Sequence, residues 1–381
     1  MIRQLFFPND NKAGHQPALD GLRGMAVLLV ALAHLSNNGI HFAPFLHFGG
    51  MGKTGVYLFF LLSSYLLDRQ IVLAIRQDQA HQRFWGNYFL RRVLRIFPLY
   101  LFVLIAYHLI FRTGSEYCLC IRTPKALLAH ILLLRGDGVF WSIPVEFKYY
   151  FLSPFLILFY RYVLRWHRLA IFLFTLGCAV GINYYTYVTG YFSTPRIATF
   201  AYLPVFLWGS WLATAEVLNQ GSQNRFLISS RAWHILGLVA LFLVFTLSGR
   251  FYFQQLYGKA AMPMYFLFRQ WITVQGFLFM MVLIGCLYGG GRLQRIFSFR
   301  PLRFIGVISF SFYLIHFPVI KWLQDQHFGT YDQQWKVLLF FAITTLICSI
   351  TYLLIERPFS RTRWFNNQKL FTDSHPTTPP K

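Results

Sequence analysis

The sequence predicts an all-α integral membrane protein, a polytopic bundle of about ten transmembrane helices with both termini in the cytoplasm. Three observations support this fold class. Of the 381 residues, 56% are hydrophobic and 12% are charged, whereas soluble domains carry about 25% charged residues. Apolar residues form continuous runs, and a run of about 20 helical residues crosses a hydrocarbon core. Basic residues lie mostly in the short segments between these runs.

The predicted spans follow the apolar runs in chain order. Because the runs are continuous, they exclude a transmembrane barrel, whose strands alternate apolar and polar residues. The spans cover residues 22–40, 55–74, 94–112, 142–160, 169–187, 198–217, 232–249, 271–289, 304–322 and 336–355. The apolar stretch 125–134 is shorter, and we expect it to form a half-helix at a membrane surface.

The basic residues predict the orientation of the bundle. With the N-terminus in the cytoplasm, the inner segments hold about twice as many Lys and Arg as the outer segments, as the positive-inside rule requires. This distribution explains the net charge of +23 without a nucleic-acid partner. We expect no cleavable signal peptide, because the first apolar run follows a polar N-terminal segment and can itself direct insertion.

The chain shows no internal repeat and no linker, so residues 1–365 are expected to form one membrane domain. Residues 366–381 are polar and rich in proline, and we expect a disordered cytoplasmic tail. The five cysteines show no paired spacing typical of a metal site.

Two polar residues of the first span attract attention because charged side chains inside a membrane are costly and often functional. Arg23 and His34 are eleven positions apart, which is close to three helical turns, so both lie on one face about 16 Å apart along the axis. They can be a boundary arginine and a packing histidine. Alternatively, the imidazole acts as a general base, and the guanidinium holds a phosphate-bearing donor.

A second basic group begins the third span, in the stretch FLRRVLRIFPLY. Arg91, Arg92 and Arg95 there can form a positive-inside anchor or bind the phosphates of a nucleotide-like molecule.

Further polar residues interrupt later spans. In WSIPVEFKYYFLSP, Glu146 follows Trp141 and Ser142, and a carboxylate at membrane depth requires a partner, for which Lys148 or a histidine is the candidate. The remaining candidates lie in the last two spans: Ser309, Tyr313, His316 and Glu356.

Together these stretches resemble the membrane acyltransferase-3 family, bacterial integral-membrane O-acyltransferases of surface glycans. The resemblance runs from Ala18 to Phe359, and its most specific part is the Arg-x10-His spacing in LDGLRGMAVLLVALAHL. Tyr57 and Phe147 stand where acidic residues are common in the family, so neither is a catalytic candidate. Some relatives continue into an extracellular SGNH-type esterase domain. The resemblance ends at Phe359, so we expect no such domain here and expect the membrane domain or a separate protein to complete the transfer.

The resemblance implies an enzyme that moves an acyl group, usually acetyl, from cytoplasmic acyl-CoA to a hydroxyl of an extracytoplasmic or lipid-linked glycan. The donor is then a substrate, and neither a tightly bound cofactor nor a metal is implied. The implied setting is the bacterial inner membrane, with membrane lipids and the glycan as partners.

The resemblance also implies roles for the candidate residues. The catalytic group is His34, Arg23 and Glu146, with His34 acting as a general base or carrying the acyl group itself. Acyl-CoA phosphates would contact Arg23, Arg91, Arg92 and Arg95. The supporting or substrate-binding set comprises Trp141, Ser142, Ser309, Tyr313, His316 and Glu356.

Two other functions fit a polytopic chain. A transporter or flippase of a lipid-linked sugar would also need buried charges, but the inverted repeats common in transporters are not visible. A structural or assembly protein would explain the spans and not the Arg-His pair.

Overall fold

The computed structural model describes residues 5–7, 15–43, 45–110, 121–190, 197–220, 229–289, 291–325 and 333–360, and the regular structure in these ranges is helical. The predicted tail 366–381 lies outside the described residues. The α-helices, in chain order, are α1 Pro17–Asn37, α2 Gly52–Arg76, α3 Gln82–Ile110, α4 Pro124–Ile131, α5 Ser142–Tyr162, α6 Arg168–Val188, α7 Thr199–Asn219, α8 Ser230–Ser248, α9 Arg250–Tyr257, α10 Met262–Gln270, α11 Ile272–Tyr288, α12 Gly291–Phe297, α13 Arg300–Val307, α14 Ser309–Asp325, α15 Gln333–Thr351 and α16 Arg357–Ser360.

Three short elements complete the list. Two 3-10 turns, Gly138–Trp141 and Lys259–Ala261, precede α5 and α10. A π-helical turn, Tyr352–Glu356, joins α15 to α16.

In the described part of the chain, six helices are long and apolar enough to cross a membrane, and eight crossings result if each of two bent helix pairs forms one. A helix occupies each of the ten predicted stretches. The all-helical membrane fold is therefore confirmed. The number ten and the cytoplasmic position of both termini remain predictions.

The helices divide into a central group and a peripheral group. About two thirds or more of the apolar 18-residue window of α1, α2 and α7 is buried inside the protein, whereas less than a third of that window is buried in α6, in α8 and in the helix that begins with α15. Helix α2 packs between α1 and α7. The exposed apolar faces of the peripheral helices suit contact with lipid chains, so the polar groups of the central helices lie away from lipid.

Helix α13 crosses α1 at very short range, because glycines remove the side chains that would separate the two backbones. A Cβ atom built on Gly306 would lie 1.8 Å from the carbonyl oxygen of Asp20, and one built on Gly24 would lie 2.1 Å from that of Leu302. Small residues allow the same close approach in membrane helix pairs generally. The contact brings α13 beside Arg23, which lies between Gly21 and Gly24 in the sequence.

One predicted span is a broken helix. Helices α13 and α14 meet at Ile308 with a bend of 81°. Polar residues Ser309 and Ser311 begin α14 immediately after the break. A break of this kind at membrane depth occurs where the backbone is buried in protein or lines a cavity, and α14 does both.

Candidate active site

Two cavities meet inside the bundle near the N-terminal end of α1. The first, called here the mouth cavity, has an empty volume of about 960 Å³ including the space open to solvent. Its charged wall residues are Asp20, Arg23, Arg95, Arg303 and Glu356. Three guanidinium groups against two carboxylates give this cavity a net positive charge. Its aromatic wall residues are Phe6, Phe7, Phe310 and Tyr352.

Ion pairs fix the basic wall of the mouth cavity. Arg303 is 6% exposed, its Nη2 lies 3.5 Å from Asp20 Oδ2, and its guanidinium lies 4.8 Å from the centre of the Phe7 ring. Nε2 of His15 lies 3.3 Å from the same carboxylate oxygen. Arg303 is not among the residues predicted for the site, because in the sequence it is indistinguishable from the basic residues that mark topology.

The second cavity, called here the inner cavity, has an empty volume of about 650 Å³ on the same measure. Four residues line both cavities, so the two are continuous: Arg23, Arg95, Ser309 and Phe310. The polar groups found only in the inner cavity are Ser63, Ser142, Glu146, Tyr150 and Tyr313. The inner cavity therefore brings together side chains from α1, α2, α3, α5 and α14.

The three arginines of the third predicted span lie in different places. Arg95 lines both cavities. Arg92 lies behind the wall, with its guanidinium 5.8 Å from the centre of the Tyr150 ring and its Nη2 donating to Gln70 Oε1 at 3.3 Å. Arg91 lines neither cavity. The three arginines therefore do not line these two cavities together, and their binding of acyl-CoA phosphates stays a prediction.

Glu146 is held by hydroxyl groups. Its Oε1 accepts hydrogen bonds from Ser63 Oγ at 2.6 Å and from Tyr150 OH at 2.5 Å. Nζ of Lys148 instead donates to the carbonyl of Ile197 at 3.4 Å. The expected pairing of Glu146 with Lys148 or a histidine is wrong, because Lys148 is exposed and Glu146 faces the inner cavity. Sequence reasoning also missed Ser63 and Tyr150 as its partners.

At one end of the inner cavity, Ser142 and Tyr313 join α5 to α14. Ser142 Oγ donates to the Tyr313 hydroxyl at 2.9 Å, and that hydroxyl donates to the carbonyl of Val139 at 2.6 Å. Trp141 supports this corner without lining either cavity, since its ring packs against Tyr202 and Phe60.

His34 and His316 form a hydrogen-bonded pair beyond this corner. Nδ1 of His34 lies 2.9 Å from Nε2 of His316, and the two rings stack with their centres 5.0 Å apart. His316 is fully buried, and His34 is partly buried. Neither histidine lines the two cavities. Arg23 and His34 thus share helix α1, but Arg23 alone reaches the cavities.

The hydrogen bonds determine which nitrogen carries each proton. Nδ1 of His316 lies 2.7 Å from the carbonyl oxygen of Tyr313, and a carbonyl oxygen only accepts, so this nitrogen bears hydrogen. In the neutral ring, Nε2 of His316 is then an acceptor and takes the proton that His34 Nδ1 donates. This leaves Nε2 of neutral His34 with a free electron pair, as a general base or nucleophile requires.

Glu356 closes the side of the mouth cavity opposite α1. Its Oε1 accepts from the Ser311 backbone N–H at 3.0 Å and from the Ser311 hydroxyl. Ser309, two residues earlier, belongs to the wall shared by both cavities. Glu356 therefore ties the π-helical turn to the start of α14, and it makes no contact with the histidine pair.

A buried carboxylate elsewhere in the bundle, that of Asp68, is also absent from the predicted site residues. Asp68 of α2 is fully buried and accepts hydrogen bonds from Tyr149 OH at 2.6 Å and from Ser153 Oγ. An acidic residue inside a predicted span was the signal that could have identified it. Among the described residues, no three His, Cys, Asp or Glu side chains are grouped so as to hold a metal ion.

Comparisons with known proteins agree with this architecture. A family model described as an acyltransferase domain matches residues 16–353. Peptidoglycan O-acetyltransferase OatA of Listeria monocytogenes (serovar 1/2a, strain EGD-e) is 25% identical, over 94% of this chain and 58% of its own length. Putative peptidoglycan O-acetyltransferase YrhL of Bacillus subtilis strain 168 is 28% identical, over 92% and 56%. O-acetyltransferase OatA of Staphylococcus aureus strain NCTC 8325 is 24% identical, over 91% and 57%.

The chain thus spans a little over half the length of these curated relatives. No solved structure matches it. Because the family model covers most of the chain, including Arg23, His34, Glu146 and His316, this multi-pass membrane protein belongs to the acyltransferase-3 family.

Proposed function

We propose that the protein is an inner-membrane O-acyltransferase that moves an acetyl group from cytoplasmic acyl-CoA to a hydroxyl of a cell-envelope glycan. The relatives' names support peptidoglycan as the glycan class. The single observation that carries the proposal is the hydrogen bond between His34 and His316, which leaves Nε2 of His34 unprotonated in neutral rings.

The mouth cavity suits the polyanionic part of acyl-CoA. Arg23, Arg95 and Arg303 surround it, and guanidinium groups bind phosphates with two parallel hydrogen bonds. The aromatic walls offer stacking surfaces for a nucleobase. We propose that the phosphates bind here and that Arg92 contributes only through its positive charge behind Tyr150, while Arg91 serves as an anchor.

The inner cavity suits the pantetheine arm and the thioester. It continues from the arginines to Ser142 and Tyr313, and the backbone carbonyl of Tyr313 is the group that holds His316. Phe59 and Tyr313, whose ring centres are 6.4 Å apart, both line this cavity, and the centre of the Tyr313 ring lies 6.0 Å from that of His316. The thioester reaches His34 in this proposal by passing these two rings.

Acyl transfer then follows from the free electron pair on His34 Nε2. This nitrogen takes the proton of the acceptor hydroxyl as the oxygen attacks the thioester carbonyl, and the carbon–sulfur bond breaks. The imidazolium returns the proton to the departing thiolate, so CoA leaves as a thiol. In the alternative route, Nε2 attacks the thioester carbonyl and the carbon–sulfur bond breaks, so CoA leaves as a thiolate. The acceptor hydroxyl then attacks the acyl group on His34, the carbon–nitrogen bond breaks, and the hydroxyl proton passes to the thiolate or to solvent.

The test uses purified full-length protein in lipid nanodiscs with acetyl-CoA and muropeptides. We expect His34→Ala and His34→Gln to lose acetyl transfer by about 10²–10⁴-fold, the usual contribution of a general base, while acetyl-CoA binding is retained. His108→Gln is the matched control, because His108 is a partly buried histidine whose Nδ1 contacts the Ile121 carbonyl, outside both cavities.

Two outcomes would contradict the proposal. If the acetyl-transfer rate of a His34 variant is within threefold of the wild-type rate, His34 is not the general base. Failure of the wild-type protein to turn over acetyl-CoA, together with movement of a lipid-linked sugar across the bilayer, would support the transporter or flippase instead. Rapid mixing of the protein with acetyl-CoA in the absence of an acceptor separates the two routes, because only the covalent route releases a burst of CoA thiol equivalent to the enzyme.

A further inference from the structure

The edge of His34 that carries Nε2 faces a gap between α1 and α2. Nδ1 on the other edge is covered by the fully buried His316, and Nε2 has no hydrogen-bond partner among the described residues. His34 and Gly52 are both partly exposed, although neither lines the mouth cavity or the inner cavity. The gap between them therefore opens to a surface other than these two cavities.

The gap exists because residue 52 has no side chain. A Cβ atom built on Gly52 would lie 3.8 Å from Nε2 of His34, 3.9 Å from its Cε1 and 3.7 Å from Cβ of Ala33. These are ordinary contact distances, so a space of the size of a carbon atom lies against the imidazole nitrogen. Gly52 begins α2 without a positive φ. Neither the backbone nor the packing therefore requires a glycine at this position.

The packing of α1 against α2 fixes the width of this gap. A Cβ atom built on Gly55 would lie 2.5 Å from the carbonyl oxygen of Ala26, so the two helix backbones are in close contact one turn further along α2. Before α2, the Phe48 backbone N–H donates to Ser36 Oγ at 3.1 Å, which ties this segment to the end of α1. Gly52 lies between these two contacts. The space beside the imidazole is consequently set by how the two helices pack.

The same face of α2 forms a wall of the inner cavity. Val56, Phe59 and Ser63 line that cavity. They follow Gly52 by four, seven and eleven residues, intervals that keep residues on one side of a helix. Gly52 thus continues this wall by one turn, about 6 Å along the axis, to the position beside His34. A thioester that advances along the wall and an acceptor that enters through the exposed gap would meet at Nε2.

We propose that the acceptor hydroxyl binds in the gap at Gly52 and that the missing side chain determines which acceptors can react. This inference rests on the proposed acyltransferase function and adds the position of the acceptor. Nε2 of His34 takes the hydroxyl proton while the oxygen attacks the thioester carbonyl, the carbon–sulfur bond breaks, and the proton returns to the CoA thiolate. A hydrogen bond places the hydroxyl oxygen about 2.7–3.2 Å from Nε2, and a sugar ring needs further room around that oxygen. A methyl group at residue 52 would occupy part of this room, whereas water and methanol need less of it.

The experiment measures how the protein divides acetyl groups between large and small acceptors. Purified protein in nanodiscs receives acetyl-CoA with muropeptides, with methanol, or with water as the only acceptor. In Gly52→Ala, the ratio of muropeptide acetylation to acetyl-CoA hydrolysis should fall by about a hundredfold, the scale on which a misplacement of about 1 Å acts. The ratio of methyl acetate formation to hydrolysis should fall much less. The Kd for acetyl-CoA and the melting temperature should stay close to the wild-type values, because the added Cβ makes only ordinary contacts outside both cavities.

Gly86→Ala is the matched control, because Gly86 lies near the start of α3, lines neither cavity and has nothing within 4 Å of its added Cβ. Equal ratios for the two variants would overturn the inference and leave the proposed function standing. A much lower melting temperature for Gly52→Ala than for Gly86→Ala would mean that the space is filled, and it would also overturn the inference.

Two further outcomes separate the inference from the proposed function. Equal losses of muropeptide acetylation, methanol acetylation and hydrolysis in Gly52→Ala would mean that the methyl group disables His34 and does not exclude the acceptor, so the inference would be wrong. Absence of any acetyl-CoA turnover by the wild-type protein would instead contradict the proposed function.

Discussion

Nδ1 of His34 and Nε2 of His316 lie 2.9 Å apart although 282 residues separate them in the sequence. The Tyr313 carbonyl holds the far side of His316, so a chain of two hydrogen bonds orients the His34 ring. In the proposed mechanism His316 fixes the direction and protonation of the His34 ring and acts as a positioning residue. The relationship leads to the first prediction.

His316→Leu should lower kcat by about tenfold to a hundredfold, the scale on which hydrogen-bond partners of a functional histidine act. His316→Gln should recover much of this loss if its amide oxygen accepts the proton from His34 Nδ1. The KM for acetyl-CoA should not change in either variant, because His316 lines neither cavity. Steady-state kinetics on detergent-purified protein measures both constants. Equal kcat losses in the two variants would favour a purely structural histidine.

The mouth cavity leads to a prediction about charge. Arg303→Gln should raise the KM for acetyl-CoA by about tenfold and weaken its salt dependence, because a phosphate loses one charged partner. Arg83→Gln should have little effect, since Arg83 is exposed at the start of α3 and lines neither cavity. Titrating acetyl-CoA at several salt concentrations provides the measurement. If the two variants have the same KM for acetyl-CoA, Arg303 does not contact the donor.

The crossing of α1 and α13 leads to a prediction about folding. Gly306→Ala should destabilise the protein by about 1–3 kcal/mol or more, as overpacking does, because the added Cβ would lie 1.8 Å from the Asp20 carbonyl oxygen. Gly181→Ala on the peripheral helix α6 is a matched control, since nothing lies within 4 Å of its added Cβ. Melting temperatures, measured by heating each variant and following the loss of the folded peak in size-exclusion chromatography, should distinguish Gly306→Ala from Gly181→Ala. Equal melting temperatures would mean that the helices do not pack this closely.

The basic residues lead to a prediction about orientation. In a cysteine-free background, single cysteines at Arg83 and Arg300 should be protected from an impermeant thiol reagent applied to spheroplasts. A cysteine at Arg122 should react. Permeabilised cells supply the control, in which all three positions become labelled. Reaction of the cysteine at position 83 and protection of the one at position 122 would mean that the bundle has the opposite orientation. The proposed donor site would then not face the cytoplasm.

The sequence was a good guide to individual helices and a poorer guide to partners. Apolar runs and the Arg-x10-His spacing predict helices and the family because both are local along the chain. The pairing of His34 with His316 depends on how α1 and α14 pack. Lys148 seemed the natural partner of Glu146, but two positions along a helix point to different sides. Ser63, from another helix, takes that place.

The sequence alone also does not identify Arg303 as a residue of the mouth cavity. Arg300 and Arg303 both lie among basic residues between two apolar runs, and nothing local in the sequence distinguishes them. The close contact of Gly306 with the Asp20 carbonyl brings Arg303 into the mouth cavity. Conversely, Arg91 and Arg92 looked equivalent to Arg95, yet consecutive helical positions differ by about 100° in direction. Of the three, Arg95 alone lines the cavities.

The uninterrupted helix α1 carries Arg23 near its start and His34 near its end, and this rigid interval acts as a ruler. A helix cannot be compressed, so the arginine and the imidazole stay about 16 Å apart along its axis. In the proposed mechanism Arg23 holds the donor while its thioester reaches His34, so a donor must be long enough to span this interval. We therefore expect small activated acetyl compounds to be poor donors, because they are too short to be held and to react at the same time.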